Sequence, residues 1–194
     1  PLGYDLARSL GHSVTEIAPS LFTFKIDDPI LENLSGTSFA NATLTLKIKN
    51  AKPFIQTGAL LITHWGLSGP ALLKLSAWAA REMMHASYKA KIVVNWLSID
   101  NKDDAEKWLK AIKKNNTKTS IGNAYPKDLT KRFWLQLLKK CSILKEKNWS
   151  EISKNELNQI IENMINCELG IVGKSRFKEE FVECGGVNLK EINL

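Results

Sequence analysis

The sequence predicts an α+β fold in which a β-rich unit is interrupted by a helical one. Residues 1–100 contain alternating and apolar runs typical of strands, and the strand pattern returns over residues 166–194. Between them, residues 101–165 have the period of amphipathic helices and most of the excess lysine. This order predicts that the helical unit is inserted into the β-unit.

The N-terminal part reads as a helix followed by strands. Tyr4–Leu10 is predicted to end a helix, because Gly11 stands where a left-handed residue stops one. Leu21–Ile26 reads as a short extended piece, and Phe39–Ile48 alternates like a strand with one face in solvent. Gly58–Thr63 is almost wholly apolar, which predicts a strand buried on both faces.

The stretch Thr63–Pro70, THWGLSGP, is predicted to be a tight strand-to-helix turn. Ser68 is predicted to cap a helix over Ala71–His85, and Pro70 to set its first turn. Gly69 would let a ligand or another backbone segment come close. The amides at such a helix start favour an anion, so the turn is either a binding site or only a well-capped structural turn.

The remaining elements continue this pattern. A strand is predicted at Lys89–Trp96, and three helices at about Lys102–Asn115, Pro126–Cys141 and Ser150–Ile165. Asp103 is predicted to cap the first helix, Pro126 to lie in the first turn of the second, and Ser150 with Ser153 to form half a capping box before the third. Strands are predicted again at Glu168–Val172 and Phe177–Cys184, followed by the glycine pair Gly185 and Gly186.

The net charge of +7 lies in one block of the chain. Residues 102–160 hold 14 basic and seven acidic residues, whereas the rest holds 13 of each and is neutral. A local basic surface is typical of proteins that bind nucleic acid or phosphate. Lysine-rich helices are also typical of plain solvated surfaces, and arginine, which base-reading sites prefer, is rare here. Both interpretations stay open.

Other patterns exclude several classes of function. The three cysteines, Cys141, Cys167 and Cys184, share no metal-binding spacing, which predicts reduced thiols and no metal site. No apolar run approaches the ~20 residues of a membrane helix, and there is no signal peptide, so a soluble cytoplasmic protein is predicted. GxGxxG, Walker, HExxH and GxSxG motifs are all absent, and the catalytic residues are unknown.

Three stretches together resemble the BaiN/YhiN-type family of NAD(P)/FAD-dependent oxidoreductases. They are GYDLARSLGHSVTEIAPSL, LLITHWGLSGPALLKLSAW and EFVECGGVNLKEIN. The family's THxGxSGP turn matches Thr63, His64, Gly66, Ser68, Gly69 and Pro70, and its GGV close matches Gly185, Gly186 and Val187. Trp65 occupies a position at which the family often has another aromatic residue, and Cys184 occupies one at which the family commonly has threonine.

The resemblance implies a β-barrel-like subdomain over residues 1–100 and 166–194, with an all-helical subdomain over 101–165. In this family such an insert interrupts an FAD-binding domain, so the chain is expected to be the insert region, lacking the GxGxxG segment and neither binding FAD nor acting alone. Gly66, Ser68, Gly69 and Pro70 would lie near the flavin or substrate, and Gly185 with Gly186 at the seam with the missing FAD-binding domain.

The intact protein would use FAD and NAD(P)H on a small organic substrate. The alternative is a nucleic-acid-binding module that uses the basic helical block 102–154.

Overall fold

A closed β-barrel is the centre of the computed structural model, which describes residues 2–174 and 182–192. Its six strands follow the order β2-β5-β4-β3-β6-β7 and are antiparallel to their neighbours. Their bounds are β2 Phe24–Ile26, β3 Ser38–Lys47, β4 Phe54–Thr63, β5 Gly66–Ser68, β6 Ala90–Asn95 and β7 Cys167–Lys174. The barrel with a helical insertion that the resemblance implied is therefore confirmed.

A second, two-stranded sheet lies where the N-terminal and C-terminal segments meet. It pairs β1, Ala18–Ser20, with β8, Val182–Cys184. The helix α1, Leu2–Ser9, precedes β1 and is followed by Gly11 with a φ of +89°, as predicted. The strand predicted at Phe177–Cys184 lies largely outside the described residues, and only β8 is observed.

The strand β4 corrects one prediction. Leu60 and Ile62 point into the core, whereas Ala59 is exposed and Leu61 retains 36% exposure, so the strand is not buried on both faces. A barrel wall has an inner and an outer face, and side chains alternate between them. In β3, by contrast, the predicted alternation is present, with Ala42, Leu44 and Leu46 inside.

The helix predicted over residues 71–85 is two helices, α2 Pro70–Trp78 and α3 Ala80–His85. The chain bends at Ala79, where φ is −100° and ψ is +18°. Ala79 and Ala80 are both buried at this bend, and Met83 is also buried in α3. A continuous helical period in the sequence therefore conceals a change of direction.

Residues 102–165, all of them described, carry three helices between the neighbouring strands β6 and β7. They are α4 Lys102–Asn115, α5 Lys131–Lys140 and α6 Lys154–Ile165. The bounds of α4 are as predicted, but Asn101, not Asp103, caps it by accepting the amide of Asp104 at 2.9 Å. Helix α5 begins five residues later than predicted, because the Thr130 hydroxyl caps it.

The start of α6 also differs from the prediction. Ser153 and Glu156 form a complete capping box, in which each side chain accepts the other residue's amide, at 3.2 and 2.8 Å. Ser150 lies in a 3-10 turn, Trp149–Glu151, that precedes the helix. The capping residue is therefore three positions later than the sequence predicted.

One hydrophobic core connects the barrel and the helices. Trp96, just after β6, packs against Phe39 of β3 with ring centroids 4.9 Å apart, and Phe133 of α5 lies 4.8 Å from both rings. All three side chains are at most 5% exposed. Residues from both the barrel and the inserted helices thus close the same end of the barrel.

Candidate functional site

The segment Thr63–Pro70 is a turn, a short strand and a helix start, not the single turn that was predicted. The Thr63 hydroxyl accepts the amide of Trp65 at 3.3 Å and donates to the carbonyl of Gly66 at 3.3 Å. The Trp65 carbonyl accepts the amide of Ile26 at 2.9 Å. These bonds hold His64 and the half-exposed Trp65 on the outside of the barrel.

The glycines of this segment are required by close backbone packing. Gly66 has a φ of +144°, and a Cβ there would lie 2.4 Å from the Phe24 carbonyl oxygen. Gly69 has a φ of +106°, and a Cβ there would lie 2.9 Å from the Ala59 carbonyl oxygen. Of the two uses predicted for Gly69, the structure shows the approach of another backbone segment, that of β4.

Ser68 does not cap α2. It belongs to β5, where it is paired with Leu61 of β4, and the cap position is taken by Gly69, which has no side chain to offer. Pro70 occupies the first turn of the helix, as predicted. The correction has a simple cause, since closing the barrel between β2 and β4 uses Gly66–Ser68 as a strand.

The glycine pair after β8 forms a separate turn. Gly185 and Gly186 have φ values of +115° and +140°, and a Cβ on Gly185 would lie 2.4 Å from the Glu16 carbonyl oxygen. Thr15 binds Gly186 through three hydrogen bonds, one of them from its own amide at 2.8 Å. The six predicted site residues are therefore divided between the β5–α2 segment, which holds Gly66, Ser68, Gly69 and Pro70, and the turn after β8, which holds Gly185 and Gly186.

Next to this turn, the two terminal segments form a surface that we call the terminal face, residues 2–13 and 182–192. The Tyr4 hydroxyl donates to Glu183 at 2.8 Å, which raises the pKa of the phenol. The Ser13 hydroxyl and amide bind Glu191 and, with His12 nearby, hold the pKa of that carboxyl below its ordinary value. Helix α1 has no buried residue.

The terminal face is also apolar, a feature that the sequence reasoning missed. Leu2, Leu6 and Leu10 are 90%, 61% and 69% exposed, and Leu189 is 77% exposed. The four-residue spacing of the three leucines puts them on one side of α1. That spacing is the signal in the sequence that could have identified the face.

Burial makes two of the three thiols unreactive. Cys141 and Cys167 are buried, and desolvation raises the pKa of each to about 11. Cys184 is partly exposed in β8. Among the described residues there is no group of three side chains suited to a metal ion, and no helix is both long and apolar enough to cross a bilayer.

Residues 18–182 match the model of the HI0933-like protein barrel and H2TH domain. The chain belongs to this family. The whole HI0933-like chain also aligns with the ribosomal RNA dihydrouridine synthase of Escherichia coli K12, at 23% identity over 194 residues. The protein of the same name from Haemophilus influenzae is 27% identical over 197 residues. In both cases the chain spans 45% of the relative's length.

The Thr63–Pro70 segment of this HI0933-like chain does not form the kind of glycine turn that holds a dinucleotide. A dinucleotide's diphosphate is held by a glycine turn between a strand and a helix of a parallel sheet. The strands that flank Gly66 and Gly69 are antiparallel, and the space beside these glycines is filled by the backbone of β2 and β4. We therefore assign no chemical step to FAD on these residues.

Proposed function

We propose that this chain is the barrel and helical portion of a flavin-dependent oxidoreductase that reduces a uridine base in RNA. The observation that carries the proposal is the alignment of the whole chain with two proteins named ribosomal RNA dihydrouridine synthase. The +7 charge of residues 102–160 agrees with a polyanionic substrate. The small organic substrate that the resemblance implied remains the rival prediction.

The reaction adds a hydride and a proton across the C5=C6 double bond of uracil. NAD(P)H would supply the hydride by way of FAD and leave as NAD(P)⁺, and the proton would come from an acidic group or from water. The cofactor carries this chemistry, while the protein positions the substrate and excludes water. In our proposal the 194-residue chain holds the RNA, and the FAD is held by a further part of the polypeptide.

The terminal face is the proposed contact with that flavin-binding part. Its exposed leucines form an apolar surface of the kind that marks an interface. Gly185 and Gly186 belong to the face, and a Cβ added to Gly186 would meet no described atom within 4 Å, so another backbone could approach there. This supports their predicted place at a seam between the two parts.

The contact of the Thr63–Pro70 segment with flavin or substrate is also a proposal. Because Gly66 and Gly69 are covered by the chain's own backbone, the exposed residues of the segment that could make such a contact are His64, Trp65 and Pro70. The main chain of Trp65 makes two hydrogen bonds and its side chain is 53% exposed, so its indole offers a flat apolar surface to a planar ring.

The experiment requires a polypeptide that carries both this chain and a flavin-binding part. Ribosomal RNA transcribed in vitro is incubated with it and NAD(P)H, and the nucleosides are analysed by mass spectrometry. We expect uridine to gain two hydrogens, whereas an RNA without uridine should give no product. Flavin that NAD(P)H reduces, but that only small organic acceptors reoxidise, would contradict the proposal and favour the rival substrate.

A further inference from the structure

A groove of about 640 Å³ runs along the outer side of α5. Asn33 and Leu34 form one wall, the exposed side of α5 forms the floor, and residues 142–146 form the other wall. A second cavity of about 300 Å³ shares Leu135, Lys145 and Glu146 with the first and extends it towards Ser120 and Lys131. We call this continuous trough the α5 groove.

The exposed side of α5 is fixed by what the helix buries. Phe133, Trp134, Leu137 and Leu138 are at most 1% exposed, so residues 131, 132, 135, 136 and 139 face outwards. Arg132 and Lys139 are seven residues apart, so they lie nearly on one line, about 10 Å apart along the axis, and Lys131 lies about a quarter of a turn away from that line. The helix therefore spreads its cations along the groove and does not gather them in a single cluster.

The lining of the α5 groove is strongly cationic. Lys131, Arg132, Lys139 and Lys145 line it, and among the described residues the lining holds one carboxylate, that of Glu146. Lys145 meets Glu146 at 3.8 Å, and Lys139 meets Glu32 of the adjoining segment at 3.6 Å, with all four side chains more than half exposed. Such long, solvated pairs are weak, so these lysines remain available to an anion.

Three features of the lining fit RNA. The cations are spaced along a path, as the phosphates of a strand are. Between them, Leu135 and the 73% exposed Leu144 offer apolar surface to base and ribose faces. Asn33 and Gln136 add amide groups that can bind base edges or 2′-hydroxyls.

We infer that the α5 groove binds a strand of the RNA substrate, with Lys131, Arg132, Lys139 and Lys145 on its phosphates. This inference rests on the proposed function and names the surface that would serve it. An RNA lying in the groove also passes the junction with the barrel, because Arg132 donates to Thr37 at 3.5 Å and Lys139 faces Glu32. The target base would be extended from that strand towards the flavin.

The test compares two triple variants of the 194-residue chain. In the first, Lys131, Lys139 and Lys145 are each replaced by glutamine. In the control, Lys102, Lys114 and Lys118 are replaced by glutamine, which removes the same charge from exposed positions that do not line the groove. Circular dichroism establishes that both variants fold, and fluorescence anisotropy follows the binding of a labelled uridine-rich oligonucleotide over a range of salt concentrations.

We expect the groove variant to bind on the order of tenfold more weakly at low salt, and its log–log salt slope to fall by about 2, since each phosphate contact of a single strand contributes about 0.7. The control should keep most of the wild-type affinity. Equal losses of RNA affinity in the two variants would refute the assignment of RNA binding to the α5 groove, but not the proposed function. Absence of RNA binding by the wild-type chain at low salt would count against both.

Polyglutamate serves as the competing probe for an acidic protein partner. Binding of polyglutamate as tight as that of the oligonucleotide, with the same loss in the groove variant, would overturn the assignment to RNA. Weaker binding of polyglutamate would support it.

Discussion

Replacing Gly66 with alanine should destabilise the barrel, because the backbone of β2 occupies the place of the new methyl group. The added Cβ would lie 2.4 Å from the Phe24 carbonyl oxygen and 2.6 Å from the Ile26 amide nitrogen. No side-chain rotation relieves these contacts, since both atoms belong to the backbone. Strand β2 would have to move away from β5, with which it is paired at Lys25 and Gly66.

Two contributions set the size of the effect. A residue with a side chain at a φ of +144° is strained by about 1–3 kcal/mol. Moving β2 weakens at least one backbone hydrogen bond, at about 0.5–1.5 kcal/mol. The free energy of unfolding should therefore fall by about 2–4 kcal/mol, which lowers the melting temperature of a chain of this size by about 4–16 °C.

Gly170→Ala is the matched control. Gly170 lies in β7 of the same barrel, where a Cβ would meet no described atom within 4 Å, and its φ is not left-handed. Thermal and urea unfolding of the wild type and the two variants, followed by circular dichroism, measure the difference. If Gly66→Ala and Gly170→Ala have the same melting temperature and the same urea midpoint, backbone packing does not require Gly66, and its place in the motif must be explained by a ligand.

Three further predictions concern the helical insertion and the thiols. Ser153→Ala removes the cap of α6 and should cost about 0.5–2 kcal/mol in urea unfolding, whereas Ser150→Ala should have little effect. Lys147 and the Ser153 amide lower the pKa of Glu156 below its ordinary 4.5. The ionised Glu156 carboxylate therefore stabilises the folded chain fully above the pKa of the unfolded state, and this stabilisation disappears as the pH falls through the lower pKa of the folded state. Glu156→Gln should therefore reduce stability at about pH 7 and flatten its decline towards about pH 3, and a pH-independent difference would contradict this ion pair's role. Native protein treated with iodoacetamide should be labelled first at Cys184, and labelling of the two buried thiols at the same rate would refute their protection.

Helix α4 and strand β3 were predictable because their signals are local. Fourteen residues of helical period after an asparagine, or ten residues with an alternating pattern, need no information from the rest of the chain. Strand β5 was not predictable, since three residues show no period and Gly66–Ser68 is a strand only because β2 and β4 lie on either side. The misplaced cap at Ser68 follows from that omission.

In the candidate site, too, local features were predictable from the sequence and features that depend on distant segments were not. Positive φ at Gly69, Gly185 and Gly186 could be anticipated from turn chemistry. What fills the space beside each glycine depends on segments distant in sequence, such as Glu16 beside Gly185. The α5 groove was missed for a related reason, because its walls come from residues 33–34, 132–139 and 142–146, and no single stretch reveals it.

The shared aromatic cluster has a consequence for how this architecture can change over time. The insertion begins after β6 and ends before its neighbour β7. At this point its two ends are joined, because the Trp96 amide donates to the Met164 carbonyl at 3.0 Å. Topologically, a short loop could replace everything between them. Yet Phe133 covers Trp96 and Phe39, so shortening the insertion would uncover the mouth of the barrel. A lineage that trims or exchanges these helices must rebuild that mouth at the same time.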